Sequence, residues 1–362
     1  MKTNAKDTNE GYRMAKNIHA EIYSIDSHCD TPMYFPYGID IGKTNPAFPV
    51  DPREFGDETD GESVPYSIKV DIPQMQAGLL DATFMVAYLK QGKRDDQTLQ
   101  QTVEKTGNIL REIIRQVEKN ASLAGLARST ADLKRLKAEG KKAIFIGIEN
   151  GYGIGKDIRN LQRFYDLGVR YITLSHNGDN DICDSAMDSL SEHDGLSAFG
   201  KEVVLEMNRL GIMIDISHTS EKTSFDAVAL SRHPVIASHS SVKALCNHPR
   251  NLSTPLMQAI AGKGGVIQIC IYPHFLRADG NATLKDLVDH IDAVVQTAGI
   301  DHAGIGSDFD GGGGIPELNS TKELPKITQE LIRRNYAKDD IAKIWGGNLM
   351  RVMNTVQKQT ES

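Results

Sequence analysis

The sequence is short of three things, and each shortage narrows what the chain can be. Cysteine occurs only four times in 362 residues, at Cys29, Cys183, Cys246 and Cys270, with no C-x-x-C pairing. So sparse and irregular a set excludes a disulfide framework and reads as reduced thiols. Long apolar runs are missing, and no stretch approaches the ~18 residues that a membrane-spanning helix needs. Positive charge is in deficit, with 41 Lys and Arg against 48 Asp and Glu, a net charge of −7. That balance argues against nucleic acid as the main partner, because phosphate binding needs a basic face. The opening residues are polar and mixed in charge, without the apolar centre of a signal peptide. As written, the chain is expected to be cytoplasmic; a periplasmic or secreted protein stripped of its leader would read the same way.

What the chain does have is alternation. Apolar content of 40% and charged content of 25% are those of a globular protein. Short apolar runs at 22–27, 79–88, 143–148, 170–174, 212–216, 235–237, 265–269 and 303–306 read as strands. Helical patterns separate them, at 96–119, 158–167, 198–210, 220–230, 254–261 and 284–297, with a terminal pair near 325–334 and 338–356. Gly168 and Gly211 stand where a helix must stop, and Ser253 or Thr254 before Pro255 marks a helix start. Strands alternating with helices imply a parallel sheet with right-handed crossovers, and a count of eight points to an α/β fold of the (β/α)8 TIM-barrel type. Residues 1–21 read as a polar lead-in with a short helix, and 22–362 as one barrel domain ending in helices. The Pro-, Gly- and Asp-rich stretch 35–66 has no periodicity and reads as a long loop at the barrel mouth.

Histidines and carboxylates follow the predicted strands. In Ile25-Asp26-Ser27-His28-Cys29-Asp30, alternate residues of an extended strand share a face, so His28 and Asp30 reach one point while Cys29 turns away. Glu149 ends the third run, and a carboxylate there has two oxygens with which to bridge two ions. His218 and His239 follow consecutive strands. A lone histidine is more often structural than a ligand; two of them beside an acid-bearing strand shift the balance towards a divalent metal. Asp308 ends the last strand, where an acid can carry a proton between water and a leaving amine. Asp310 competes for that role but stands beside Gly311–Gly314 and reads as a turn residue. Glycine-rich 151–157 resembles a P-loop only loosely: Asn150 and Asp157 stand where Gly and Ser or Thr are required. Its glycines read as close-approach positions.

With these residues in hand, the chain resembles the membrane (renal) dipeptidase family of zinc peptidases. The resemblance runs over residues 18–356 and is carried by Ile25-Asp26-Ser27-His28-Cys29-Asp30-Thr31-Pro32, Gly147-Ile148-Glu149, Leu174-Ser175-His176-Asn177, Asp215-Ile216-Ser217-His218, Ser238-His239-Ser240-Ser241, Arg250-Asn251 and Gly306-Ser307-Asp308-Phe309-Asp310-Gly311. It implies a barrel of the metal-dependent amidohydrolase kind holding two Zn2+ per chain. His28 and Asp30 would bind one ion, His218 and His239 the other, and Glu149 both. Hydrolysis of a small dipeptide, including one with a C-terminal D-residue, would proceed by water activated between the ions. Asp308 would move the proton, His176 would steady the carbonyl or its oxyanion, and Arg250 and Tyr272 would hold the substrate carboxylate. Members are often dimers, so a homodimer is also implied.

Two other readings compete. A barrel amidohydrolase acting on a cyclic amide or ester commonly carries His-x-His on its first strand, where this chain has His28-x-Asp30. A non-catalytic ligand-binding barrel would not need the full ligand set.

Overall fold

The computed structural model describes residues 5–51 and 63–358. Residues 52–62, part of the expected mouth loop, lie outside the described residues, as do 1–4 of the lead-in and 359–362. In chain order the strands are β1 (Ile25–Cys29), β2 (Phe48–Val50), β3 (Val64–Tyr66), β4 (Ala82–Tyr88), β5 (Ala124–Leu126), β6 (Lys142–Glu149), β7 (Val169–Thr173), β8 (Met213–Asp215), β9 (Ile236–Ser240), β10 (Val266–Ile269) and β11 (Ala303–Ile305). Nine of them form a parallel sheet ordered β1-β4-β6-β7-β8-β9-β10-β11, with β5 against β6. The ring closes just beyond β11. Asp308 N donates to His28 O at 3.2 Å and Asp30 N to Phe309 O at 2.9 Å. The fold is a (β/α)8 barrel.

Strand parity sorts the side chains into two layers. Along β6, Ala143 and Phe145 belong to a cluster that includes Phe84, Tyr171, Met213, Ile236 and Val266, while Ile144, Ile146 and Ile148 pack in the larger cluster with the helices. Phe145 stacks on Phe84 with ring centroids 4.8 Å apart, and Tyr171 packs tilted against Phe84 at 5.0 Å. The terminal helix Asn348–Lys358 adds Leu349, Val352, Met353 and Val356 to the same cluster, away from the mouth.

The helices form where local chemistry says they should. In Asp96–Lys119, Asp95 caps the first turn by accepting from Thr98 N, and Leu99, Val103, Leu110, Ile113 and Val117 bury one face. Gly168 and Gly211 terminate their helices with φ of 109° and 78°, left-handed values that glycine adopts without strain. Ser253 caps Thr254–Gly262, with Pro255 in its first turn.

Three expectations need correction. The first strand begins at Ile25 rather than residue 22, and the second at Ala82 rather than 79. The eight predicted strands become nine in the sheet. Strand β4 covers one edge of β6 from end to end, but on the other edge β7 begins only opposite Ile146, so β5 pairs with Lys142–Ile144 below it. Finally, the mouth segment is not all irregular. Strands β2 and β3 pair antiparallel, and Phe48, Tyr34, Tyr37 and Tyr66 form an aromatic cluster around them. Among the described residues no helix is long and apolar enough to cross a membrane.

The first helix (Ala5–Glu21) is tied to the barrel by His19. Its ring bonds Leu79 O at 3.0 Å and Thr328 Oγ1 at 2.8 Å, and Trp345 Nε1 donates to the same Thr328 hydroxyl at 2.7 Å. Burial lowers the His19 pKa from 6.5 to about 4 despite the Leu79 carbonyl. The folded state therefore holds His19 neutral, and its contribution is intact above pH 6.5 and lost as pH falls towards 4. A shift of this size is worth roughly 3 kcal/mol. Replacing His19 by Gln should flatten that part of the stability-against-pH curve in urea melts at stepped pH. A parallel slope in the variant would count against this linkage.

Candidate metal centre and active site

The C-terminal ends of the barrel strands converge on one carboxylate. Glu149, the last residue of β6, is 3% exposed. Its Oε1 lies 3.0 Å from His218 Nε2, 3.5 Å from His239 Nε2 and 3.7 Å from His176 Nε2; its Oε2 lies 3.5 Å from His28 Nε2. His28 Nε2 is also 3.3 Å from Asp30 Oδ2, so the alternate residues of β1 do meet at one point. Cys29 is buried on the other side of the strand, where it accepts from Thr31 and Thr83. The Nε2 atoms of His218 and His239 are 2.8 Å apart.

The second nitrogen of each ring explains why these contacts exist. His28 Nδ1 is 2.8 Å from the Tyr171 hydroxyl, whose own proton goes to Ser27 O at 3.1 Å. Tyr171 must therefore accept, and His28 carries its proton on Nδ1. His218 Nδ1 donates to Asn177 Oδ1 at 2.9 Å. His239 Nδ1 is 2.8 Å from Ser238 Oγ, whose proton goes to Asp215 Oδ2 at 2.5 Å. All three rings thus carry a proton on Nδ1 and aim Nε2 at the same spot; in His218 and His239 that nitrogen keeps a bare lone pair, whereas His28 Nε2 lies between two carboxylates that also attract a proton.

A cation fits this arrangement. His28 Nε2 and Asp30 Oδ1 are buried with no hydrogen-bond partner, which is costly unless something positive sits between them. One ligand atom from each of His28, Glu149 and His239 lies within 4.8 Å of the others; the same holds for Glu149, His176 and His218, and for His28, Asp30 and Asp308. Imidazole nitrogen with carboxylate oxygen is a donor set for zinc and similar divalent ions.

Several positions here require unusual backbone. His218, Asp308 and Asp310 have φ of 70°, 58° and 70°, and Asn150, just after Glu149, has 81°. Such left-handed conformations cost a non-glycine residue of order 1–3 kcal/mol and cluster at functional sites. Two glycines make room. A Cβ on Gly147 would lie 2.7 Å from the Tyr171 ring, and one on Gly311 would lie 2.1 Å from Asp30 Oδ2.

The remaining predicted residues line one cavity of about 480 Å³ above the cluster, among them His176, Arg250, Tyr272 and Asp308. The Asp308 carboxyl is pushed up to about 7 by burial and by neighbouring Asp30, against the pull of His28 and Arg250. Burial, together with Arg250, lowers His176 to about 3, so its ring is neutral. Arg250 is buried, donates from Nη2 to His239 O at 3.2 Å, and has an unpartnered Nε. Tyr272 packs its ring on Phe275 at 4.7 Å, and the Arg250 guanidinium lies 5.2 Å from the same phenyl ring.

Asp310 is more than the turn residue expected. It is buried, and it accepts from Thr31 Oγ1 at 2.7 Å, from Tyr66 OH at 2.8 Å and from Lys69 N at 2.8 Å. It pins the β2–β3 hairpin to the barrel, and Val50, Val64, Tyr66 and Lys69 thereby become cavity wall. Tyr171, Asn177, Ser238 and Asp215 had no assigned role in the sequence; the last three stood beside candidate ligands in the motifs, while Tyr171 stood only within a predicted strand.

Imidazoles and carboxylates brought to one point by the ends of barrel strands define a barrel metallohydrolase. A family model described as membrane dipeptidase (peptidase family M19) matches residues 12–362. Dipeptidase aclJ of Aspergillus oryzae is 34% identical over 302 residues, 81% of this chain and 71% of that protein. An uncharacterized dipeptidase of Schizosaccharomyces pombe, C965.12, is 32% identical over 354 residues, 92% of this chain and 80% of its own. Among solved structures, the probable dipeptidase PvdM from Pseudomonas aeruginosa superposes with a TM-score of 0.85 at 29% identity, covering 97% of this chain and 99% of that one. The chain belongs to the membrane dipeptidase family, peptidase family M19, and is a metal-dependent dipeptidase.

Burial pulls His28 down, but the carboxylates of Glu149 and Asp30 outweigh it and leave its pKa well above 6.5. Near neutral pH a proton therefore competes with metal for His28 Nε2. Metal binding should release protons and weaken as pH falls. Calorimetric titration of the chelator-stripped protein in two buffers of different ionisation enthalpy checks this; identical heats would refute it.

Proposed function

We propose that this dipeptidase works with two zinc ions, one held by His28 and Asp30, the other by His218 and His239, with Glu149 shared between them. The observation that carries this reading is the set of three imidazoles whose Nδ1 protons are all committed elsewhere and whose Nε2 atoms all face Glu149. When bound, such ions polarise the scissile carbonyl and acidify water, which the side chains alone cannot do.

The chain's own residues supply the rest. A carboxyl with a pKa of about 7 is poised to take a proton and return it, so Asp308 serves as the carrier to the leaving amine. A ring that stays neutral down to pH of about 3 is a poor proton donor but a good N–H donor. His176 therefore steadies the carbonyl oxygen as negative charge develops on it. Arg250 offers a charged guanidinium to the cavity, and its described hydrogen bond goes to a main-chain carbonyl rather than to an acid. It is suited to hold the substrate's free carboxylate, with Tyr272 beside it. A cavity of about 480 Å³ lies within the range that small ligands fill. A carboxylate clamp near the reacting centre limits the substrate to a residue or so beyond the cleaved bond, which suits a dipeptide of either chirality at its C-terminal end.

Two substitutions test these roles. Asp308→Asn should abolish turnover, by about 10²–10⁴-fold in kcat, with metal content by atomic emission nearly intact. Near-parental kcat would remove Asp308 from proton transfer. Arg250→Ala should raise KM for dipeptides by at least ~10-fold through loss of a charged hydrogen bond of about 1.5–3 kcal/mol. An unchanged KM would exclude it from the carboxylate subsite.

A further inference from the structure

Two buried carboxylates outside the ligand set make the same pattern of bonds. On β1, Asp26 Oδ2 accepts from Ser307 Oγ at 2.5 Å, and its Oδ1 accepts from Ser307 N at 2.7 Å and His28 N at 3.4 Å. On β8, Asp215 Oδ2 accepts from Ser238 Oγ at 2.5 Å, and its Oδ1 accepts from Ser238 N at 2.8 Å and Ser217 N at 3.1 Å. Each acid grips both the hydroxyl and the amide of a serine on or just beyond the neighbouring strand, plus an amide two residues further along its own segment. Both acids are 0% exposed. In each case the gripped serine immediately precedes a site residue, Asp308 in one and His239 in the other.

The two clasps differ in two respects. Asp215 Oδ2 also accepts from Thr173 Oγ1 at 2.6 Å. Ser238 Oγ also touches a ring nitrogen, His239 Nδ1, at 2.8 Å. The hydroxyl of Ser307 touches no imidazole; it accepts from Phe309 N at 3.0 Å.

We infer that Asp26 and Asp215 are paired positioning residues, and that Asp215 additionally dictates, through Ser238, which nitrogen of His239 keeps its lone pair. A hydroxyl has one proton. While Asp215 takes that proton, Ser238 can only accept from His239, so the ring proton stays on Nδ1 and Nε2 is bare. Asparagine at 215 presents an N–H to Ser238 Oγ instead. The serine proton then turns to Nδ1, and the ring proton moves to Nε2, where it blocks a ligand. Asparagine at 26 keeps the Oδ1 contacts with Ser307 N and His28 N and reverses only the bond to Ser307 Oγ, which reaches no ring. This inference rests on the reading of His239 as a metal ligand.

The test compares Zn2+ affinity, at buffered free Zn2+, of the parent, Asp215→Asn, Asp26→Asn, Ser238→Ala and the Asp215→Asn/Ser238→Ala double variant. Asp215→Asn and Ser238→Ala should each weaken the binding of one ion by about 10–100-fold. The double variant should be no weaker than Ser238→Ala alone, because the relay runs through that hydroxyl. Asp26→Asn should keep parental Zn2+ affinity and lower kcat by loosening Asp308. Nitrogen-15 spectra of the metal-free parent should place the His239 proton on Nδ1, and in Asp215→Asn on Nε2. Equal Zn2+ losses in the two single Asp→Asn variants, multiplied losses in the double variant, or a parent His239 protonated on Nε2 would each overturn the inference. The parent spectrum and Ser238→Ala decide it even where Asp215→Asn does not fold. His239→Ala separates the two levels: full Zn2+ content in that variant would overturn the ligand reading itself.

Discussion

Everything at the mouth of this barrel depends on gathering ring nitrogens and carboxylate oxygens at one point, with far fewer protons than lone pairs between them. Four ring nitrogens and both oxygens of Glu149 meet within a few ångströms, among side chains that are mostly buried. Acceptors packed against acceptors repel, and the low dielectric around them strengthens the repulsion. The arrangement survives because the opposite end of each ligand ring is anchored. A tyrosine hydroxyl, a carboxamide and a serine hydroxyl each take an Nδ1 proton, and two of those three acceptors are committed to accepting by where they send their own proton. The electrostatic cost of the metal-free cluster is the counterpart of its affinity for a cation.

The barrel makes such a cluster affordable to build, because parallel strands bring all their C-terminal ends to one rim. Parity then assigns alternate residues inward. On β6 the same rule that buries Phe145 in the barrel core carries Glu149 to the centre of the site. Where parity does not suffice, the chain uses left-handed backbone. His218 and Asp308 each lie three residues beyond the end of their strand, and positive φ turns their side chains back towards the axis. The polar clasps of Asp26 and Asp215 and the core rings of Phe84, Phe145 and Tyr171 hold the strand ends on which those bends depend.

The alternation of strands and helices was legible in the sequence because it is written in local chemistry. Asp96–Lys119 is bounded by an N-cap and shows one apolar face, and Gly168 and Gly211 mark left-handed stops. The nine residues singled out as ligands, proton carrier and substrate contacts all come to one cluster and its cavity, because ordered motifs at successive strand ends can only converge. What was hidden depends on contacts between distant segments. Strand β5 is three residues long and exists because β6 has an uncovered edge. The β2–β3 hairpin carries no alternating pattern, since Pro49 and Pro65 face each other and its stability comes from stacking of Tyr66 on Tyr34 and from the bond to Asp310. Asp310 itself sits beside four glycines, and nothing local distinguishes a buried hub from a turn residue there.

Equal burial has opposite consequences for the ligand histidines, and the difference gives the cavity a direction. His28 lies between two carboxylates and is driven towards its charged form after desolvation is overcome. His218 and His239 are lowered by burial, and among the groups that add to it are Arg250 and the other imidazoles. The cluster therefore has an acidic side, where Asp30 and Asp308 stand with His28, and a basic side, where Arg250 bonds the main chain of His239. A free dipeptide is a zwitterion, with an ammonium at one end and a carboxylate at the other. In the proposed mode of action only one orientation sets its carboxylate at Arg250 and keeps its ammonium away from that charge, and reversal would bring like charges together in a buried, weakly screened space. The aspartate at position 30 contributes to this polarity directly. A histidine there would remove one negative charge from the acidic side and leave the two ends of the substrate less sharply told apart.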